Sequence, residues 1–373
     1  MKIAFVGGAP NNIGGAEYQS YLITKYLSIH FDVFYIFPTR EVTQSTLMHH
    51  NVKYIPIRKG KIWRRILGKD YIFDYIRLNR ILNEINPDVI YIRISNAYTY
   101  IATKFAKSKR ILSIWHASHD MDLFKKRFKF NRTGLFNFAD CKFLDYAIQN
   151  TNYIVLQTYA QNKLLYNNYG RNADLIFPNS HPVPKEEIFK RKPIKILWVA
   201  NLKPIKRPEY FVELANSLGE KYDCSFIMIG KPGNPAYQKY LKQRMNGVKN
   251  LFYLGERSFE SVNEQFADAH IFVNTSESEG FPNTFIQAWM RKVPVVSLNV
   301  DPDDVIKKYK LGFHSRTFEQ LLDDVVQLIM NEKLRIEMGE NAYKYAIQYH
   351  SIEKNIDKLV IFLKDIINQK WQK

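Results

Sequence analysis

Cysteine is nearly absent: Cys141 and Cys224 are the only two in 373 residues, and they stand far apart. They cannot build a disulfide framework or a paired-cysteine zinc site, and such sparing use fits a reducing, cytoplasmic setting. Long apolar runs are missing too, since none approaches the ~20 residues a membrane-spanning helix needs. The opening MKIAFVGGAP is too short for a secretory leader and lacks its cleavage pattern. There is no G-x-G-x-x-G fingerprint, and FDVFYIF runs into Pro38, Thr39 and Arg40 rather than a ribose-binding acid, so a dinucleotide cofactor is not expected. No D-x-D element stands at a suitable strand end, and no metal or other cofactor is expected. Acidic residues are the last scarcity. Lys and Arg number 54 against 36 Asp and Glu, a balance of +18. Residues 1–180 carry 25 against 12, and residues 181–373 carry 29 against 24, so the deficit lies mostly in the first half. A field of that sign draws nucleic acid, anionic lipid or phosphorylated substrates.

What is present is apolar and aromatic. Hydrophobic residues make up 46%, with 24 Tyr and 25 Phe, enough for two folded cores in a chain of this length. Short apolar runs alternate with helical segments. KIAFVGG (2–8), FDVFYIF (31–37), NVKYIPI (51–57), DVIYIR (88–93), RILSIWH (110–116), YIVLQT (153–158) and DLIFPN (174–179) read as strands. Their near-continuous apolar character predicts parallel strands covered on both faces. Helices are expected near 15–29, 70–86, 97–107 and 139–150. The polar, proline-punctuated PVPKEEIFKRKPIK (182–195) reads as a linker. A second series then starts: KILWVAN (195–201), CSFIMIG (224–230), NLFYLG (250–255), HIFVNT (270–275) and VPVVSL (293–298). Two successive series of this kind predict an α/β chain of two doubly wound, Rossmann-like domains, 1–184 and 185–350, with ligands beyond the carboxyl ends of the strands. The tail, about 351–373, is helical, with Ile352, Ile356, Leu359, Val360 and Leu363 on one stripe.

Several stretches carry chemistry. The strand HIFVNT runs into SESEGFPNTFIQAW (276–289), where Glu279 precedes Gly280, Phe281 and Pro282. Pro282 suits a helix start, and Asn283 and Thr284 have capping side chains. The N–H groups of a first turn donate to an anion such as a diphosphate, and Gln287 lies one turn further in. In VANLKPIKRPEYFVELA (199–215), Lys206 and Arg207 open a helix. Cations there oppose the helix dipole, which points to a ligand, although a solvated helix start is the plainer reading. GGAPNNIGGAEYQ (7–19) follows the first strand, and Gly14 and Gly15 permit close backbone approach; the plainer reading is a turn with Glu17 exposed. In SIWHASHD (113–120), His116 ends an apolar strand, and a lone histidine is more often structural. His119, Asp120 and Asp122 stand nearby, but their spacing fits no strong metal pattern.

The S-x-x-E-G-F-P element, the Q-A that follows and the V-P-V-V strand resemble the retaining GT-B glycosyltransferases of family 4. The resemblance covers most of the chain. It implies two Rossmann-like domains at a central cleft, the first binding the acceptor and the second the nucleotide-sugar donor, with the tail helix crossing back to the first. In the E-x7-E element, Glu279 matches the first acid and would hold donor-sugar hydroxyls. Gln287 replaces the second, the ribose partner, and an amide still bonds two hydroxyls. VANLKPIK resembles the G-R-L-x-x-x-K element. Lys206 matches the lysine that neutralises the diphosphate, and Asn201 stands where the family has arginine, with Arg207 adjacent to supply that charge. GGAPNNIGGAE resembles the family's G-G-x-E loop, which puts Gly15 near the donor phosphates, and His116 matches a histidine beside the transferred sugar. Retaining transfer is framed as same-face attack assisted by a leaving phosphate oxygen, with water excluded by domain closure.

The segments IRKGKIWRRILGK (57–69) and LFKKRFKFNR (123–132) mix cations with large apolar residues. That composition suits an anionic membrane surface and equally single-stranded nucleic acid. With the resemblance, they favour a glycan or lipid-linked acceptor, a place at the inner face of the bacterial membrane, and surface polysaccharide synthesis. Two other readings compete: a basic nucleic-acid-binding protein, which leaves Glu279 without a role, and a GT-B sugar-nucleotide epimerase, for which no acid and histidine set is found.

Overall fold

The computed structural model describes residues 1–10, 14–39, 51–58, 71–125, 134–185, 188 and 190–371. The chain forms two compact units, Met1–Asn179 with Ile352–Lys373, and Ser180–Ser351.

In the first unit the chain runs through β1 (Lys2–Gly7), α1 (Gly15–Leu27), β2 (Asp32–Thr39), β3 (Lys53–Arg58), α2 (Tyr71–Ile85), β4 (Val89–Arg93), α3 (Ala97–Lys109), β5 (Leu112–His116), α4 (Gly134–Asn150), β6 (Tyr153–Leu156), α5 (Tyr159–Tyr169) and β7 (Leu175–Ile176). The seven strands form one sheet in the order β3-β2-β1-β4-β5-β6-β7. Every pairing is parallel, as strands buried on both faces require. Ala4, Val6, Ile90 and Ile92 face one core with α2 and α3. Ile3, Phe5, Val89 and Tyr91 face the other, with α1 and the tail helix, Ile352–Trp371. That helix buries Ile352, Ile356, Leu359, Val360, Leu363 and Ile366, each worth roughly 1.5–3 kcal/mol of transfer free energy. The predicted stripe is therefore core, and it belongs to the first unit.

The second unit repeats the plan with β8 (Ile194–Val199), α6 (Pro208–Leu218), β9 (Cys224–Ile229), α7 (Pro235–Met245), β10 (Leu251–Tyr253), α8 (Phe259–Asp268), β11 (Ile271–Asn274), α9 (Asn283–Trp289), β12 (Val295–Ser297), α10 (Val305–Tyr309), β13 (Gly312–His314), α11 (Phe318–Met330) and α12 (Glu332–Tyr349). Its six parallel strands run β10-β9-β8-β11-β12-β13, the same winding as the first sheet. Apolar clusters cover both faces. The strand β13 is absent from the sequence reading because it is three residues long. Gly312 opens it at φ +141°, where a side chain would strike the Val295 carbonyl.

The chain enters and leaves this unit at adjacent points. His181 N donates to His350 O at 2.9 Å, and His181 bridges Ser351 in parallel. The unit thus begins at Ser180, ahead of the linker.

Candidate functional site

The winding makes β8 and β11 neighbours, so the loops leaving their carboxyl ends meet. Beyond Val199 the chain runs through a 3-10 turn, Pro204–Lys206, to Arg207, whose φ of +46° turns it into α6. Beyond Asn274 it runs to Pro282. These two loops are stitched by a chain of bonds. Trp198 Nε1 donates to Thr275 Oγ1 at 2.9 Å, and that hydroxyl donates to Lys206 O at 2.8 Å. Glu277 N donates to Ile205 O at 2.9 Å. Lys206 Nζ then lies 2.9 Å from Glu279 Oε2, an ion pair with both side chains partly exposed.

Glu279 is held from its other oxygen too. Oε1 accepts from Ser276 Oγ at 2.6 Å and from Asn274 Nδ2 at 3.0 Å. A carboxylate offers about four lone-pair sites, so three partners leave roughly one for an incoming hydroxyl. Lys206 has three N–H groups, of which the pair uses one, and the others are open to an oxyanion. Arg207 Nη2 lies 3.7 Å from Glu277 Oε1, and its guanidinium stacks on Tyr210 at 5.5 Å. The motif residues Lys206, Arg207 and Glu279 are thus brought together, and Asn201 is an exposed residue of the same loop.

The capping expectation is corrected. The N-cap of α9 is Pro282, with no side-chain cap bond. Asn283 Oδ1 instead lies 3.2 Å from His181 Nε2. Burial pushes His181 down to about 3, so its neutral ring donates and Asn283 is occupied. Phe281 is core, its ring 4.6 Å from His350. Gln287 is buried, and its Nε2 donates to Asn263 Oδ1 of α8 at 2.9 Å, which leaves its second N–H and its carbonyl oxygen.

His116 lies in the first unit, at the end of β5, and is 1% exposed. Its Nδ1 is 2.7 Å from the Tyr91 hydroxyl. Arg93 Nη1 lies 2.7 Å from Nδ1 and 2.6 Å from Nε2. Arginine has no acceptor, so the ring receives this bond and is neutral. Burial, reinforced by the Arg93 charge, holds the imidazole well below its ordinary range. Burial also pushes Arg93 down to about 10, so it stays cationic at neutral pH. Tyr91 and Arg93 went unnoticed in the sequence, though a cation closing the wholly buried VIYIR strand was a signal.

The neighbours of His116 are spent on local structure. His119 Nδ1 accepts from Met121 N at 3.0 Å, and Asp122 Oδ2 accepts from His119 N at 3.1 Å, a capping arrangement. Asp120 Oδ1 accepts from Gln161 Nε2 at 2.9 Å. Among the described residues no cluster of His, Cys, Asp and Glu could hold a metal ion. Gly15 is the first residue of α1, in the first unit, and the Glu17 carboxylate lies against Gly8 and Gly14 rather than on an open face. Residues 11–13 of that loop, 59–69 of the first basic segment and 126–132 of the second lie outside the described residues. Ile57 and Leu123, at the described ends of the two segments, are buried in the core and not offered to a surface. Among the described residues, no helix is long and apolar enough to cross a membrane.

A two-unit α/β architecture of this winding is that of GT-B glycosyltransferases. A structure of Anabaena Alr3699/HepE in complex with UDP and glucose matches 98% of this chain and 99% of its own, with a TM-score of 0.75 at 14% identity. Sucrose-phosphate synthase from Thermosynechococcus elongatus matches 99% of this chain and 100% of its own, with a TM-score of 0.79 at 12% identity. The family follows from sequence. The model for glycosyl transferases group 1 matches residues 182–345, and that for glycosyl transferase 4-like proteins matches residues 16–158. The chain belongs to the group 1 glycosyltransferases of GT-B fold. Among curated relatives, the poly(ribitol-phosphate) alpha-N-acetylglucosaminyltransferase of Staphylococcus aureus is 26% identical over 61% of this chain and 47% of its own length. The N,N'-diacetylbacillosaminyl-diphospho-undecaprenol alpha-1,3-N-acetylgalactosaminyltransferase of Campylobacter jejuni is 30% identical over 48% of each. The match thus spans about half the length of these relatives.

Proposed function

We propose that the protein is a retaining glycosyltransferase, moving a sugar from a nucleoside-diphosphate donor to an acceptor hydroxyl. The observation that carries this reading is the ion pair of Lys206 with Glu279 at the carboxyl edge of the second sheet. In the proposed step the diphosphate leaves against Lys206 and Arg207, whose fixed charges stabilise the developing anion. Glu279, held on three sides, orients the sugar through a hydroxyl. Gly280, Phe281, Asn283 and Thr284 contribute backbone N–H groups, Pro282 having none, and Gln287 offers its carbonyl oxygen to the ribose. Asn201 borders the donor; in the first unit the neutral His116 is fitted to be a hydrogen-bond partner and not a proton carrier. No metal is required, because lysine and arginine supply the positive charge. Water is excluded when the site closes, since hydrolysis competes with transfer.

The acceptor is a glycan, lipid-linked, at the inner face of the membrane. The names of the two curated relatives supply the setting, one a poly(ribitol-phosphate) and one a diphospho-undecaprenol acceptor. Membrane contact draws support from the first two turns of α2, which expose Ile72, Phe73, Tyr75 and Ile76, with Arg77 over Phe73 and Lys104 over Tyr75. Cations beside apolar side chains suit an anionic interface.

The test is a thermal-shift screen against UDP, GDP, ADP and their sugar conjugates. One of these families should raise the melting temperature, UDP foremost because it occupies the structural relative. Absence of any shift, together with salt-sensitive binding of generic DNA, would replace this reading with the nucleic-acid one.

A further inference from the structure

The first unit holds a buried cation that no carboxylate among the described residues contacts. Arg93, at the carboxyl end of β4, is 3% exposed. Its Nη1 faces the neutral His116 ring, and Nη2 donates to Asn179 Oδ1 at 3.1 Å. Its Nε is buried and has no partner, and two residues on, the buried Ser95 Oγ also has none. Glu17 and Asp122 act on the guanidinium only through space. The Glu17 carboxylate is instead lodged against Gly8 and Gly14.

A buried, uncompensated charge destabilises a fold by several kcal/mol unless an opposite charge joins it. The ties to His116 and Asn179 use Nη1 and Nη2 only, and need neither the charge nor the orphaned Nε donor. Arginine retained under that penalty is what an oxyanion receptor demands, since its planar fork suits phosphate and carboxylate. The surrounding half-chain, with 25 Lys and Arg against 12 Asp and Glu, draws such a ligand in.

We infer that the acceptor carries an oxyanion, a phosphate or carboxylate, received by Arg93 Nε with Ser95 Oγ as the second donor. This rests on the reading above that the first unit binds the acceptor. It names the chemical class of that acceptor and the residues that select it.

The experiment uses the full chain in a Lys206→Ala background, so that a donor-diphosphate site does not report the anion. Melting temperature is followed against inorganic phosphate and L-malate at constant ionic strength, with glycerol as the neutral control. The parent should gain stability with phosphate or malate and not with glycerol. Arg93→Met should lose the anion-dependent gain. Ser95→Ala should weaken anion affinity at least threefold, and it serves should Arg93→Met fail to fold. Sedimentation with phosphatidylglycerol vesicles separates the sources. Loss of vesicle binding in Arg93→Met places the anion on a lipid, and loss of only the soluble response places it on a soluble acceptor. A gain that survives Arg93→Met, an anion affinity unchanged in Ser95→Ala, or no anion response in the parent overturns the inference. The nucleotide screen reads the other reading independently, because it uses the chain with Lys206 intact.

Discussion

The two units share one winding, and their carboxyl edges are opposites. In the second, two loops about seventy positions apart in sequence are stitched until a lysine and a glutamate form a partly exposed ion pair, each charge answered within the protein. In the first, an arginine is buried beside a neutral histidine with no counter-charge in contact. One edge is preorganised by its own bonds, and the other is left electrostatically incomplete. A common scaffold thus fixes where chemistry sits, while a few residues at the strand ends decide what it is.

The contrast can be broken by substitution. The largest effect should follow loss of Glu279. Glu279→Ala should lower kcat by roughly 10²-fold or more, the scale of removing one preorganised group at a reacting centre. Nucleotide binding should stay within a few-fold, because Lys206 and Arg207 remain. Turnover within a few-fold of the parent would remove Glu279 from the site.

Acid should come next. His116, His181 and His270 are all held below their ordinary range, chiefly by burial, the last two at about 3 and about 4. The unfolded chain takes up protons near pH 6.5 while the native rings stay neutral, so stability is complete above that pH and lost as pH falls toward 4. The loss is up to about 1.4 kcal/mol per histidine per pH unit. Melting temperature should therefore drop between pH 7 and pH 5, and His181→Asn should blunt the slope. A flat profile would show that these rings are not neutral in the fold.

The smallest effect tests the stitching. Thr275→Val keeps the shape and strands the Trp198 Nε1 donor. It should destabilise the chain by about 1–3 kcal/mol and weaken nucleotide binding a few-fold through movement of Lys206. Loss of stability with nucleotide affinity unchanged would show that the Lys206 loop is positioned by other contacts.

Much of this was legible in the sequence, for a physical reason. Strands covered on both faces must be apolar throughout, so VIYIR, ILWV and IFVN announced themselves, and their alternation with helices fixed the winding. The three-residue β13 lacked the length to do so, and DLIFPN announced β7, which is only two residues long. Glu279 and Lys206 could be named from their motifs, but their pairing is a product of β8 lying beside β11. Asn283 carried a capping side chain yet gave it to His181, because a proline already stood at the cap. Arg93 hid inside an apolar strand, and only the adjacency of β4 and β5 sets it against His116.

The central claim is that Lys206 and its loop hold the donor diphosphate. Calorimetric titration of the parent and of Lys206→Ala with the nucleoside diphosphate found by the screen tests it directly. The account predicts at least a tenfold loss of affinity in Lys206→Ala, near 1.4 kcal/mol or more, with the melting temperature of the free protein little changed. Equal affinity in the two chains would contradict it.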